Sequence, residues 1–130
     1  MAGMNQEDMA LLKALVVVAW SDGDFAAVER EAIDGLLAAY NATETDKAEI
    51  HEFAKEKRSL EDINLQDLSA ADRRVLLQHA VLVTYCEKKP SDTQVAFLDQ
   101  LAAKVKVPAD EAKQVMDASR ERVQKLLHLI

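Results

Sequence analysis

Asp22, Asp24 and Glu29 put three carboxylates into one short stretch around Gly23, spread over a loop and the helical turn that follows it. Hard oxygen donors gathered this way suit Ca²⁺ or Mg²⁺. A second reading needs no ion. Asp22 or Asp24 caps the following helix, Gly23 takes a positive φ, and Glu29 and Glu31 are solvated acids in a first turn, where the helix dipole favours them. The spacing is not that of an EF-hand. A loop opening at Asp22 would need glycine at its sixth position and glutamate at its twelfth, and the chain has Ala27 and Ile33 there.

Other chemistries find fewer parts. The single cysteine, Cys86, and the scattered His51, His79 and His128 show no paired spacing for zinc or di-iron. His79 and Cys86 stand seven residues apart, about 10 Å along a helix, too far for a directly bonded nucleophile and base. Both read as core or boundary residues. No acid/base pair or glycine-rich phosphate loop occurs at a working spacing, so the expectation is a protein without catalytic activity. Lys88-Lys89 and Lys55-Glu56-Lys57-Arg58 are the dense basic clusters, and both are expected at helix C-termini, where cations complement the dipole.

The carboxylates must be held by helices. With 49% hydrophobic residues, three Gly and two Pro in 130 residues, the chain has ample helix formers and few breakers. One all-α domain is expected, a helical bundle of about six to seven helices over residues 1–130. Residues 6–20 carry Met9, Leu12, Leu15, Val16 and Ala19 at helical spacing, and Val16-Val17-Val18 makes the latter half apolar nearly all round. That pattern predicts a central buried helix. An amphipathic helix over about 26–40 follows, with Val28, Ala32, Ile33, Leu36, Leu37 and Tyr40 on one side.

A third helix is predicted over about 46–57, opened by the Asp46–Glu49 spacing and burying Ile50, Phe53 and Ala54. Leu60, Ile63, Leu65 and Leu68 are too irregular for a long helix, so 59–68 reads as a connection with a short helical turn. Ser69 and Asp72 have the spacing to cap a second buried helix running to about Lys88. Ser91 with Gln94 opens another to Val105, whose inner face holds Val95, Leu98, Leu101 and Ala102. The last helix, about 109–128, carries Ala112, Val115, Met116, Val123, Leu126 and Leu127, with Ile130 at the chain end expected to dock.

The apolar helix, polar turn and amphipathic helix of 6–40 recur at 70–105. An offset of 65 residues matches Trp20 to Tyr85, Asp22 to Glu87 and Ile33 to Leu98. Two such hairpins are expected to pack through their apolar first helices, bringing the Asp22 and Glu87 turns to related positions. Trp20 and Tyr85 would then close the core, each polar atom reaching water or a carbonyl.

The segment Ala19-Trp20-Ser21-Asp22-Gly23-Asp24-Phe25-Ala26-Ala27-Val28-Glu29 resembles the signature of the tellurite-resistance TerB-like family, an apolar helix meeting Asp-Gly-x-hydrophobic-x-x-x-Glu. Asp22, Gly23, Phe25 and Glu29 fill its four positions, and the duplicated plan extends the likeness over roughly 6–125. The resemblance implies a helical bundle linked to tellurite resistance and stress responses, an acidic patch for a divalent metal, membership in larger assemblies, and no enzymatic activity. Asp22, Asp24, Glu29 and Glu87 are the ligand candidates. The second copy departs from the pattern: it lacks the glycine and has Gln94 where the matching glutamate would stand.

The net charge is −7, of which residues 1–35 hold −5, seven acids against Lys13 and Arg30. Such a surface repels a phosphate backbone, so nucleic acid is not an expected partner, whereas a protein partner is. The longest apolar run, Ala14 to Trp20, is far short of the roughly 20 residues that span a bilayer. With no basic-then-apolar leader at Met1 and one cysteine, a cytoplasmic location is the expectation.

Overall fold

The computed structural model describes residues 4–20, 27–84 and 92–129, with side chains over 4–20, 30–84 and 92–125. Six α-helices lie within them: α1 (Gln6–Ala19), α2 (Ala27–Ala39), α3 (Glu44–Ala54), α4 (Ala70–Thr84), α5 (Asp92–Lys104) and α6 (Ala109–Leu129). Two 3₁₀ turns, Leu60–Asp62 and Leu65–Asp67, make the connection from α3 to α4. No strand occurs among the described residues, and the chain is the all-α bundle its composition calls for. No described helix is long and apolar enough to cross a membrane.

α1 is the centre of the core. Asn5 caps its start, accepting from the Asp8 amide at 2.8 Å, and every residue from Ala10 to Ala19 except Lys13 is buried. Valines at 16–18 disfavour a helix through their stiff χ1, so packing rather than propensity holds this turn. Each fully buried Leu or Val contributes about 1.5–3 kcal/mol of transfer free energy. α4 is its counterpart, with Leu76, Leu77, Ala80, Val81, Val83 and Thr84 buried, and it packs directly against α1. Thr84 is accommodated because its Oγ1 donates to the Val81 carbonyl at 3.0 Å.

The 65-residue repeat is written into the backbone. α2 ends with Tyr40, Asn41 and Ala42 amides donating to Leu36, Ala38 and Leu37 carbonyls, at 3.0, 3.1 and 3.0 Å. α5 ends with Val105, Lys106 and Val107 donating to Leu101, Ala103 and Ala102, the same bonds 65 positions on, at 3.0, 3.1 and 3.3 Å. Both ends turn through a left-handed residue, Asn41 at φ 59° and Lys106 at φ 60°. This is the Schellman termination, which usually employs glycine. Ile33 and Leu98 are both buried, as matched positions should be. The equivalence also reaches the third helices, since Lys47 donates to Thr43 at the start of α3 and Ala112 to Pro108 at the start of α6. The repeat unit is therefore three helices, larger than the hairpin visible in the sequence.

The opening of α3 differs from the expected Asp46–Glu49 pairing. The capping box is Thr43–Asp46: Thr43 Oγ1 accepts from the Asp46 amide at 3.1 Å, and Asp46 Oδ2 accepts from the Thr43 amide at 3.0 Å. A threonine hydroxyl completes the reciprocal pair, and the helix accordingly runs Glu44–Ala54 rather than 46–57. Asp46 Oδ2 also accepts from the Met4 amide at 2.9 Å, fastening the chain's beginning to α3. These backbone donors hold the Asp46 carboxyl below its usual pKa. The Ser69–Asp72 box at α4 is as expected, with both reciprocal bonds at 3.1 Å. Ser91 and the stretch 85–90 lie outside the described residues.

One residue that periodicity does not flag stitches the second half together. Arg73 donates to Leu65 O at 2.8 Å, Leu68 O at 3.1 Å and Val105 O at 3.2 Å, gathering the connection and the end of α5 onto α4. Beside it, Arg74 of α4 pairs with Glu111 of α6. Along α6, Ala112, Met116, Ser119 and Val123 face inward. The side chains of Leu126 and Leu127, and Ile130 itself, lie outside the description.

Candidate functional site

α1, the helix that precedes Asp22 and Asp24 in the sequence, has a pinned C-terminus. At the C-terminus of α1 the Trp20 amide donates to the Val16 and Val17 carbonyls, at 3.1 and 3.2 Å, while its indole Nε1 donates to Ala54 O at 3.1 Å. The indole thus performs the expected closure, satisfying a carbonyl at the end of α3 while its ring packs on the core. The chain re-enters at Ala27, which puts Glu29 in the first turn of α2. Asp22, Asp24 and Glu87 lie outside the described residues, as do Tyr85, Cys86 and the side chain of Glu29. Among the described residues no three His, Cys, Asp or Glu side chains lie close enough to hold one metal ion.

Two histidines sit in different surroundings. His79 on α4 is half-buried, its Nε2 3.4 Å from the Tyr40 hydroxyl and the two rings edge-on, 6.3 Å between centroids. Burial pushes the His79 imidazole down from 6.5 and, with the nearby Asp8 and Asp72 charges, pushes the Tyr40 phenol up, so both stay neutral. Asp8 is itself raised by burial and by Asp72. His51 on α3 is exposed and paired with Asp34 of α2 at 2.7 Å, over a cleft of about 210 Å³. The His79 contact is thus with a neutral phenol, and the His51 contact with a carboxylate.

His79 links pH to stability. Its native pKa lies below the unfolded value of 6.5, so the unfolded chain takes up its proton first on acidification. The stability this neutral imidazole allows is present above 6.5 and is lost as pH falls from there through the lowered native value. Urea midpoints measured between about pH 7 and 5 should decline less steeply in His79→Gln than in the parent chain. An unchanged slope would assign the acid sensitivity to other groups.

A second acidic feature comes from residues that no single spacing connects. A cleft of about 480 Å³ opens between the start of α1, α3 and the 3₁₀ connection, with Asp46, Glu49, Asp62 and Asp67 around it. Met4, Met9 and Phe53 give it apolar walls. Lys13 crosses it, its Nζ 2.7 Å from Glu49 and 5.5 Å from the Phe53 ring centroid, while Arg58 lies 4.1 Å from that ring and donates to Phe53 O at 2.8 Å. That last bond is the helix-end role expected of the 55–58 cluster. The acids come from three separate elements, so the only signal in the sequence is the excess of acid over base in 44–67.

No family model matches the chain, and no curated protein or solved structure matches it.

Proposed function

We propose that the chain is a noncatalytic module of the TerB-like type, related to stress or tellurite resistance and working in the cytoplasm, whose acidic turn binds Ca²⁺ or Mg²⁺. Asp22, Asp24 and Glu29 supply the oxygens, and Glu87 is the candidate contribution of the matching turn. The observation that supports the reading is the three-helix duplication: α1 packs on α4, and α2 and α5, the helices that follow the Asp22 and Glu87 segments, end in the same backbone bonds. Paired rigid helices are the kind of scaffold that fixes loop ligands for a hard cation.

A specific observation separates the two turns. Gln94, which stands where Glu29 stands in the first copy, is a buried neutral amide in α5. A buried neutral amide cannot replace the charge of a carboxylate at a divalent ion. One ion per chain, centred on the first turn, is therefore expected. The alternative is a metal-free interaction or scaffold domain whose acidic face meets a basic protein partner, and this degenerate second turn favours it.

Calorimetric titration with CaCl₂ and with MgCl₂ decides between them. The metal reading predicts a saturable heat for one ion per chain, weakened at least tenfold in Asp22→Asn and Glu29→Gln. Absence of saturable heat at millimolar metal would reject it. Partner capture that disappears in the same variants would then support the metal-free domain.

A further inference from the structure

We infer that the cleft between α1, α3 and the 3₁₀ connection is a docking groove for an extended basic segment of a partner protein, one in which lysine or arginine alternates with apolar side chains. This uses none of the residues of the cation turn, so either idea stands or falls alone.

Charge is the first argument. Asp46, Glu49, Asp62 and Asp67 face the cleft against a single lining cation, Lys13. Each carboxylate spends only one oxygen on the protein. Asp46 Oδ2 holds the Met4 and Thr43 amides, Asp62 Oδ2 the Ser59 amide, Asp67 Oδ2 the Asn64 side-chain amide, and Glu49 Oε2 the Lys13 ammonium. Among the described residues, none bonds the second oxygen of any of the four. An incoming cation can take these oxygens without breaking the caps that shape the groove.

The arrangement selects the form of the cation. No three of the acids approach closely enough to share one ion, so a point charge such as Ca²⁺ gains little here. A chain with several separated charges can satisfy them together. Between the acids, Met4, Met9 and Phe53 pack on the core while remaining partly exposed. Thioether and aromatic surfaces of this kind accept aliphatic stems and guanidinium planes. Lys13 already shows the mode from within the chain, its ammonium held by Glu49 and lying over the Phe53 ring. The negative field would steer a basic segment in and repel nucleic acid.

The test uses the full chain and a fluorescein-labelled peptide of alternating arginine and leucine. Saturable anisotropy is expected, with amide shifts at Met9, Lys13, Glu49 and Phe53. Glu49→Lys, at an exposed position, should weaken binding at least tenfold, and Asp67→Lys on another element should do the same. Glu121→Lys, exposed on α6 away from the groove, should change it less than twofold. A peptide with serine in place of leucine should bind at least fivefold more weakly. Equal weakening by all three reversals would reduce the effect to net charge and overturn the proposal. So would spermine matching the peptide in affinity and shifts, or the serine peptide binding as well as the leucine one.

Discussion

Leu12→Ala and Leu77→Ala each destabilise the chain by about 2–5 kcal/mol, and by similar amounts. The two leucines are 65 residues apart, one on α1 and one on α4, and both are completely buried. Truncation removes three carbons from close-packed surroundings and leaves a cavity that neighbours on rigid helices fill only in part. For a domain of this length the loss lowers the melting temperature by about 10 °C. Urea unfolding of the two variants measures it. A large cost at one position beside a negligible one at the other would mean that the core is not shared between equivalent helices.

Arg73→Ala is expected to cost about 2–4 kcal/mol, more than an ordinary surface arginine. Its guanidinium satisfies three carbonyls at once, Leu65 and Leu68 in the connection and Val105 at the end of α5. Charge-assisted bonds to helix-terminal carbonyls are among the stronger polar contacts, and the fork geometry is specific to arginine. Arg73→Lys should recover less than half of the loss, because one ammonium cannot reach three divergent acceptors. Hydrogen exchange should accelerate over 63–70 and 105–108, with little change in α1. Uniform acceleration would contradict the role of a local staple.

Much of the architecture is legible without coordinates because it depends on local rules. The run Val16-Val17-Val18 and the segment Ala80 to Val83 are apolar on most faces, and helices of that kind have nowhere to go but the interior. Ser69 and Asp72 advertise their cap by spacing alone. The three-helix repeat is harder to read. At the 65-residue offset His51 meets Met116 and Ala54 meets Ser119, so the side chains of α3 and α6 hardly agree while their backbone starts do. The Thr43 box was hidden because Asp46 and Glu49 offer a plausible spacing three residues later, and only geometry shows Glu49 turned toward Lys13.

The candidate site residues divide in the same way. A turn such as Asp22-Gly23-Asp24 is visible because its carboxylates are neighbours in the chain. Asp46, Glu49, Asp62 and Asp67 become neighbours only when α1, α3 and the connection fold together, and Arg73 gains its role only when the end of α5 arrives beside it. Function that depends on distant segments meeting leaves no periodic trace.

Amide NMR of the ¹⁵N-labelled chain during calcium or magnesium addition would locate cation binding as well as detect it. Saturating shifts confined to about residues 20–31 are expected, abolished in Asp22→Asn and Glu29→Gln. Spectra unchanged at millimolar metal, or small shifts spread evenly over every surface acid, would contradict binding there.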